Sequence, residues 1–230
     1  LINLGYNHSG FFWDGRVETL ETQALIPVED PVEMHEDWQN VTQKLQRDAK
    51  YPVLFQKALG AETITKTLVA KVLAQFERTL ISADAKYDQV IQGKAVFTES
   101  EQRGFQIFMD DAPGLLPEGE CGHCHIPPLF TTNEYHNNGI EEVAGMQDFP
   151  DKGRGAITGY TNDNGKFRVS TLRNIAVTGP YMHDGRFETL EEVIEHYNSG
   201  GHHTENKSSN VLQLHQIGRA SCRERVCHRV

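Results

Sequence analysis

The sequence predicts a mainly α-helical protein with two related domains, and three observations support this. Apolar residues recur at helical spacing in several segments bounded by capping residues, whereas alternating strand patterns are few. The segment FFWDGRVETLE at 11–21 returns almost unchanged as YMHDGRFETLE at 181–191. The length of 230 residues is sufficient for one or two small domains.

The N-terminal part of the chain carries four helical patterns. The first is short, runs over 17–24 and stops before Pro27. Two more run over 35–48 and 51–60, the second ending at a glycine. The strongest pattern covers 63–82. Its predicted apolar face consists of Leu68, Val69, Val72, Leu73, Phe76 and Leu80.

The C-terminal part alternates helices with long loops. The helix predicted at 98–111 starts with a capping box, because its first residue is a threonine and Glu101 follows three residues later. Another helix, predicted at 189–201, ends in two glycines. Segments 112–120 and 126–165 are rich in Gly, Pro, Asn and Asp, so we expect loops there.

Charge and hydropathy exclude two classes of partner. The formal net charge is −10 at pH 7, so no nucleic acid, itself a polyanion, is expected to bind. No stretch of the sequence is long and apolar enough to predict a membrane span. The acidic residues are interspersed along the chain, which is typical of a solvated surface.

The four cysteines fall into two groups. Cys121 and Cys124 lie in ECGHCHIPP, whereas Cys222 and Cys227 lie in an arginine-rich tail. We predict that the tail, residues 217–230, is non-native, because IGRASCRERV resembles a sequencing adapter translated in frame. A zinc or disulfide pair in the tail is the alternative. Without the tail, no cysteine pair is left for a structural disulfide.

The sequence CGHCH at 121–125 is the attachment signature of a c-type haem. Two cysteines three residues apart on a helical turn reach the two vinyl groups of one porphyrin, and His125 is then placed to bind the iron. A redox-active cysteine pair or half of a zinc site is the alternative. A zinc site needs two more ligands at short spacing, and His123 and His136 are not a convincing pair.

The repeat indicates an internal duplication. Seven of eleven positions are identical at an offset of 170 residues, and a shared helix-start pattern does not explain this common register. Together with the helix before CGHCH, the repeat predicts two cytochrome c-like domains, at 1–91 and 92–216. The same offset places a first haem motif before residue 1. We therefore expect the first domain to be truncated at its N-terminus, with one haem attachable here and two in the intact protein.

The common register also shows which residue of each copy stands at the position of a second axial iron ligand. Tyr197 lies fourteen residues after His183, and Pro27 lies fourteen after Trp13. A tyrosine phenolate binds ferric iron, whereas a proline does not. Met182 is the alternative to Tyr197, since thioether ligation is common in cytochromes c. We expect a closed second haem that relays electrons and an open first haem that binds peroxide.

Three segments of the chain carry a family resemblance. They are FFWDGRVETLETQALIPVEDPVEMH, CGHCH and FRVSTLRNIAVTGPYMHDGRFETLEEVIEHY, within a similarity that covers most of residues 1–205. In these segments the chain resembles the bacterial dihaem cytochrome c peroxidases. Tyr197 stands where other members have a methionine ligand, which indicates the MauG-like branch. Met182 lies beside His183, where the family does not place its ligand.

The resemblance implies roles for three residues of the first domain. Trp13 matches a tryptophan that carries electrons between the haems. Gln23 and Glu33 match residues of the peroxide pocket, where Glu33 would be the acid–base group. The ordinary interpretations are a core aromatic for Trp13, a helix-surface residue for Gln23 and an exposed loop acid for Glu33.

Four further residues are candidates for binding the second haem or a cation. Arg168 and Arg173 are predicted to pair with haem propionates, with a surface role as the alternative. The resemblance also implies a calcium ion bound by the backbone carbonyls of Thr178 and Pro180, since carbonyl oxygens suit a hard cation.

These features predict a haem-dependent peroxidase that reduces hydrogen peroxide with electrons relayed from a second c-type haem. The electrons would come from a small donor protein, a cytochrome c or a cupredoxin. Two alternatives are MauG-like oxidation of side chains on a partner protein and a non-enzymatic electron-transfer cytochrome c. Because haem c is attached outside the cytoplasm, the predicted location is the periplasm. We expect the fragment by itself to be inactive.

Overall fold

The computed structural model describes residues 2–111, 113–116 and 119–211, which are mainly helical, as predicted. The α-helices in these ranges are α1 (Leu20–Gln23), α2 (Ile26–Glu29), α3 (Trp38–Arg47), α4 (Tyr51–Leu59), α5 (Lys66–Arg78), α6 (Lys86–Ile91), α7 (Glu99–Met109), α8 (Arg154–Thr158) and α9 (Leu190–Ser199). Two short strands, β1 (Tyr135–His136) and β2 (Phe167–Arg168), pair antiparallel, with Tyr135 opposite Arg168.

The chain divides into two compact units. The first comprises Leu1–Phe12 and Arg16–Ile81, and the second comprises Trp13–Gly15 and Ser82–Val230. The division after Ile81 lies ten residues before the predicted domain boundary after residue 91, because α6 belongs to the second unit. That each unit is a haem domain stays a prediction.

The first unit has a small apolar core. Its buried members are Phe11, Val17, Leu20 and Ala74, and Leu4, Phe12 and Ile26 pack against them. Thr19 caps α1 by accepting a hydrogen bond from the Thr22 backbone N–H at 3.1 Å. The buried Trp38 ring donates from Nε1 to the Leu25 carbonyl at 3.0 Å. This bond connects α3 to the turn between α1 and α2.

The predicted apolar face of α5 is wrong in part. The structure buries Ala70 and Ala74, whereas Val72, Leu73 and Phe76 are 39 to 61% exposed. The other three predicted residues are half-buried. Ala74 lies in the core that α5 shares with α1. Small side chains allow two helices to approach closely, and a pattern that counts large apolar residues does not detect such a contact.

The second unit has an aromatic core. Phe108 of α7 and Phe130 are buried, and Tyr87 of α6 and Phe105 of α7 pack against them. The Tyr87 and Phe130 rings meet edge to face with centroids 4.9 Å apart. Edge-to-face contact is a favoured arrangement of aromatic pairs. It places the rigid Phe130 segment next to the C-x-x-C-H motif, since Cys121 packs on the same cluster.

Several helix ends lie at capping residues that the sequence predicts. The capping box of α7 is present, since the Thr98 hydroxyl accepts from Glu101 N and the Glu101 carboxylate accepts from Thr98 N. Helices α4 and α9 end at Gly60 and Gly200. The first predicted helix, 17–24, is α1, whereas α2, with Pro27 in its first turn, was not predicted. Helices α6 and α8 and the strand pair are too short to show a period and were not predicted.

The two copies of the repeat adopt the same local conformation. In the first, Phe11 N donates to Val17 O at 2.8 Å, and the corresponding bridge in the second is 2.7 Å long. The next residues, Phe12 and Met182, both have left-handed backbones with φ of 65° and 71°. In each copy a threonine caps the helix that follows. Residues that align between the two copies in the sequence therefore also have the same backbone conformation.

Two expectations concern the chain as a whole. Among the described residues, no helix has both the length and the apolar character needed to cross a bilayer. The predicted non-native tail, 217–230, with Cys222 and Cys227, lies outside the described residues, as does part of the predicted loop 112–120.

Candidate haem-binding site

The C-x-x-C-H motif forms one tight turn. Residues Cys121–His123 are a 3₁₀ turn, and the Cys121 carbonyl accepts from Cys124 N at 3.2 Å and from His125 N at 2.9 Å. Both cysteines are half-buried thiols. Two thiols on a single turn, followed directly by an imidazole, satisfy the requirement for double attachment to one porphyrin.

The His125 ring is oriented by the backbone. Its Nδ1 lies 3.0 Å from the Phe130 carbonyl, which only accepts, so Nδ1 carries the proton in the neutral ring. Nε2 is then the nitrogen with a free electron pair for a metal. Burial lowers the pKa of His125 to about 4, although hydrogen bonds to the Phe130 and Ser170 backbone oppose the shift. The ring is thus neutral near pH 7, as coordination requires.

A buried ion pair fixes the segment that orients His125. Arg173 is 4% exposed and donates to the two Asp88 carboxylate oxygens at 2.7 and 2.8 Å. Its Nε donates to the Pro128 carbonyl at 2.8 Å, two residues before Phe130. The hydrogen bond from Arg173 lowers the pKa of the Asp88 carboxyl. The predicted propionate contact of Arg173 stays untested, and its guanidinium already has a carboxylate partner.

Both candidates for the second axial ligand lie at one place. The Asn138 amide donates to the Tyr197 hydroxyl at 3.3 Å and to the Met182 sulfur at 3.4 Å. Burial raises the pKa of the Tyr197 phenol, and electrostatic interaction with Cys121 and Cys124 raises it further. The Asn138 amide thus holds the two candidate ligands together.

The Trp13 loop belongs to the second unit. The Trp13 carbonyl accepts from Arg168 N at 2.8 Å, and Arg154 Nη1 donates to the carbonyls of the next two residues at 3.1 and 3.2 Å. The Trp13 side chain is 40% exposed. At the same position of the second repeat copy, His183 stacks on Phe167 with ring centroids 3.6 Å apart. The backbone of Trp13 is thus held while its indole remains accessible.

Comparison with known proteins relates this site to a family. Residues 1–96 match the family model described as di-haem cytochrome c peroxidase. The methylamine utilization protein MauG of Methylophilus methylotrophus is 34% identical over 209 residues, 90% of this chain. The crystal structure of a MauG-like protein associated with microbial copper homeostasis has a TM-score of 0.82 and 30% identity, covering 97% of this chain and 71% of that one. This chain belongs to the di-haem cytochrome c peroxidase family.

The curated relatives that match this chain extend beyond it. The alignment spans 59% of the Methylophilus methylotrophus protein. Cytochrome c551 peroxidase of Nitrosomonas europaea is 32% identical over 185 residues, which are 80% of this chain and 53% of that protein. The chain thus spans just over half the length of these curated relatives.

The residues at the site fit the c-type haem that the di-haem peroxidase family implies. Cys121 and Cys124 supply two thiols, and His125 supplies a neutral imidazole with a fixed proton. An oxygen and a sulfur donor, from Tyr197 and Met182, lie on one amide. Two thiols, an imidazole and a further oxygen or sulfur donor are the groups that would hold a c-type haem.

The residues that the resemblance to di-haem peroxidases assigns to the peroxide pocket lie in the first unit. Gln23 is half-buried at the end of α1, and Pro27 lies in the first turn of α2. Glu33 is exposed in the turn after α2, where its backbone N–H donates to the Asp30 carbonyl at 3.1 Å. Their roles stay predictions.

Three other predicted residues differ in their surroundings. Arg168 is half-buried, and its Nη1 donates to Asn133 Oδ1 at 3.1 Å. Desolvation lowers the pKa of its guanidinium, so an anion placed beside it would be stabilised. Thr178 and Pro180 are exposed, and the calcium site of the di-haem peroxidase resemblance stays a prediction.

Sequence reasoning missed three groups that support the site. They are the Phe130 carbonyl, the Asn138 amide and the Arg154 guanidinium. A backbone carbonyl has no signature in a sequence. Asn138 and Arg154 lie in the segment 126–165, which composition marks only as loop. The repeat marks the Trp13 loop in the sequence, but it does not show which side chain hydrogen-bonds to that loop.

Proposed function

We propose that this chain supplies the haem c domain, residues 92–216, and part of the peroxide-reducing domain, residues 1–91, of a haem-dependent peroxidase. The observation that carries the proposal is the arrangement of Cys121, Cys124 and His125 on one turn with the His125 proton fixed. When bound, a c-type haem supplies an iron that accepts and donates single electrons.

The chain's own residues then divide into holding and relaying roles. Cys121 and Cys124 would hold the haem through thioether bonds, and His125 Nε2 would bind its iron. Arg168 is the candidate for a haem propionate, because its half-buried guanidinium gains from a nearby anion. Trp13 passes electrons toward the peroxide, since its indole is accessible and its backbone is anchored by Arg168 N–H.

Two residues act on the peroxide itself. The Glu33 carboxylate takes a proton from one oxygen of hydrogen peroxide and returns it to the other, so that water leaves. The Gln23 amide hydrogen-bonds the same molecule. Two electrons and two protons convert each hydrogen peroxide to two waters, and the electrons come from a small donor protein, a cytochrome c or a cupredoxin. We place the protein in the periplasm, where c-type haem is attached, and include calcium at Thr178 and Pro180 in the proposal.

A second candidate function is oxidation of side chains on a partner protein. Tyr197, whose phenol shares the Asn138 amide with the Met182 sulfur, favours it, because an oxygen ligand would stabilise oxidised iron better than a thioether would. Among the similar proteins, two named methylamine utilization protein MauG are 34 and 35% identical to this chain. Hydrogen peroxide would then remain the oxidant, and the partner's side chains would supply the two electrons in place of the small donor protein.

The first experiment expresses the intact gene product with the c-type haem attachment machinery. We expect two covalently bound haems per polypeptide and reduction of hydrogen peroxide with a reduced cytochrome c or cupredoxin as donor. A single haem, or no turnover with any small donor, would favour an electron-transfer cytochrome.

The second experiment compares two conservative variants in that protein. Glu33→Gln should lower kcat/KM for hydrogen peroxide by about 100- to 10,000-fold, the usual contribution of a general acid–base group. Glu29→Gln, also exposed and four residues away, is the matched control and should leave the rate unchanged. Equal rates for both variants would remove Glu33 from the mechanism.

A further inference from the structure

One amide contacts both possible axial ligands of the haem bound at Cys121 and Cys124. Asn138 Nδ2 lies 3.3 Å from the Tyr197 oxygen and 3.4 Å from the Met182 sulfur. An amide NH₂ group has two hydrogens, so it serves both acceptors at once. The oxygen and sulfur are therefore close neighbours.

This pair of potential ligands is found only in the second copy of the repeat. The offset of 170 residues places Phe12 at the position of Met182 and Pro27 at the position of Tyr197. The loop conformations match, since Phe12 and Met182 share left-handed backbones. Neither Phe12 nor Pro27 has an atom that binds iron. The first copy thus lacks both ligands, whereas the second has two for one coordination position.

The Asn138 backbone is fixed relative to α9, which carries Tyr197. Its carbonyl accepts a hydrogen bond from His196 Nε2 at 3.0 Å. Gly201, just after α9, has φ of +62°, and a Cβ there would lie 3.1 Å from the Asn138 carbonyl oxygen. Only a glycine fits this close approach. The His196 hydrogen bond and the close approach of Gly201 therefore hold the Asn138 backbone next to α9. This keeps the Asn138 amide near the Tyr197 hydroxyl.

The adjacent residue prevents the segment from shifting. Asn137 is 2% exposed, and its side chain donates to Thr204 Oγ1 at 2.9 Å and to Asn206 Oδ1 at 2.8 Å. Its carbonyl oxygen Oδ1 accepts from Gly139 N at 2.9 Å. A fully bonded, buried asparagine is costly to displace. Asn138 is thus presented from a rigid loop.

We propose that Asn138 is a positioning residue that selects Tyr197 over Met182 as the second axial ligand of this haem. The inference rests on the haem attachment proposed above. A phenol oxygen bound to ferric iron carries more negative charge than a thioether sulfur, which is a weak acceptor. A hydrogen bond from the amide therefore stabilises the oxygen more than the sulfur. Loss of that donor should change the ratio of tyrosine-bound to methionine-bound haem by about tenfold to a hundredfold.

The test uses the haem-loaded chain and spectroscopy, with no assay of turnover. The wild type should lack the near-infrared sulfur-to-iron charge-transfer band that marks a methionine ligand. In Asn138→Leu and in the isosteric Asn138→Asp, that band should appear and the reduction potential of the haem should rise, because thioether ligation favours ferrous iron. Met182→Leu should keep the wild-type spectrum, and Asn138→Leu combined with Met182→Leu should show no sulfur band.

A matched control and two outcomes complete the experiment. Asn162→Leu makes the same chemical change at an exposed asparagine and should leave spectrum and potential unchanged. A sulfur band in the wild type overturns the proposal, and so does a wild-type spectrum in Asn138→Asp, which keeps the shape and the backbone contacts. Failure of the wild-type chain to attach haem is a different result, which refutes the proposed function instead.

Discussion

The buried ion pair between Asp88 and Arg173 provides a sharp test of how the haem site is supported. The two side chains are 11 and 3% exposed, and two hydrogen bonds join them. Asp88→Asn keeps the shape but removes the negative charge, which leaves a buried guanidinium uncompensated. Such a loss costs about 3–5 kcal/mol of unfolding free energy. For a protein of this size, the midpoint of thermal unfolding should fall by roughly 6–20 °C.

The pH dependence gives the prediction a second signature. Arg173 lowers the pKa of Asp88 in the folded state, so this carboxylate adds stability above its unfolded pKa of about 4. The contribution is lost as the pH falls through the lower, folded pKa. Wild type and Asp88→Asn should therefore differ most near neutral pH, and the difference should shrink below about pH 4.

Urea unfolding of the haem-loaded chain, followed by circular dichroism at several pH values, measures both effects. The matched control is Glu21→Gln. Arg78 also binds Glu21 through two hydrogen bonds, at 2.9 and 3.1 Å, but the side chains are 39 and 35% exposed. An exposed pair contributes at most about 1 kcal/mol. If Asp88→Asn costs no more than Glu21→Gln, burial is not what makes the Asp88–Arg173 pair important.

Two further predictions concern the Trp13 loop and the haem attachment. Gly15→Ala should destabilise the protein more than Gly60→Ala, because both residues have positive φ but only at Gly15 would a Cβ meet the Tyr135 hydroxyl, at 1.8 Å. The left-handed backbone alone costs an alanine about 1–2 kcal/mol at either position. Equal shifts in the midpoint of thermal unfolding would therefore contradict the predicted clash with Tyr135. Replacing both Cys121 and Cys124 by serine should make the haem extractable with acidified organic solvent, whereas Cys227→Ser should leave it covalently bound. Haem that stays attached to the double variant would disprove the attachment site.

The sequence by itself determined the features that depend on residues close together in the chain. The turn of Cys121, Cys124 and His125, the capping box of Thr98 and the common register of the two repeat copies need only local spacing. Hydrogen bonds across three or four residues form wherever the local pattern allows them. These features were enough to predict the haem motif, several helix ends and the family.

The tertiary structure decided everything that joins distant parts of a unit. The sequence gives no sign that Asp88 pairs with Arg173, 85 residues later, or that Asn138 contacts Tyr197, 59 residues later. Helix α5 turns its alanines inward because close approach to α1 outweighs the size of its larger apolar side chains, and only the packed neighbour reveals that. Contacts of this kind depend on which surfaces meet and at what distance, and a linear pattern contains neither.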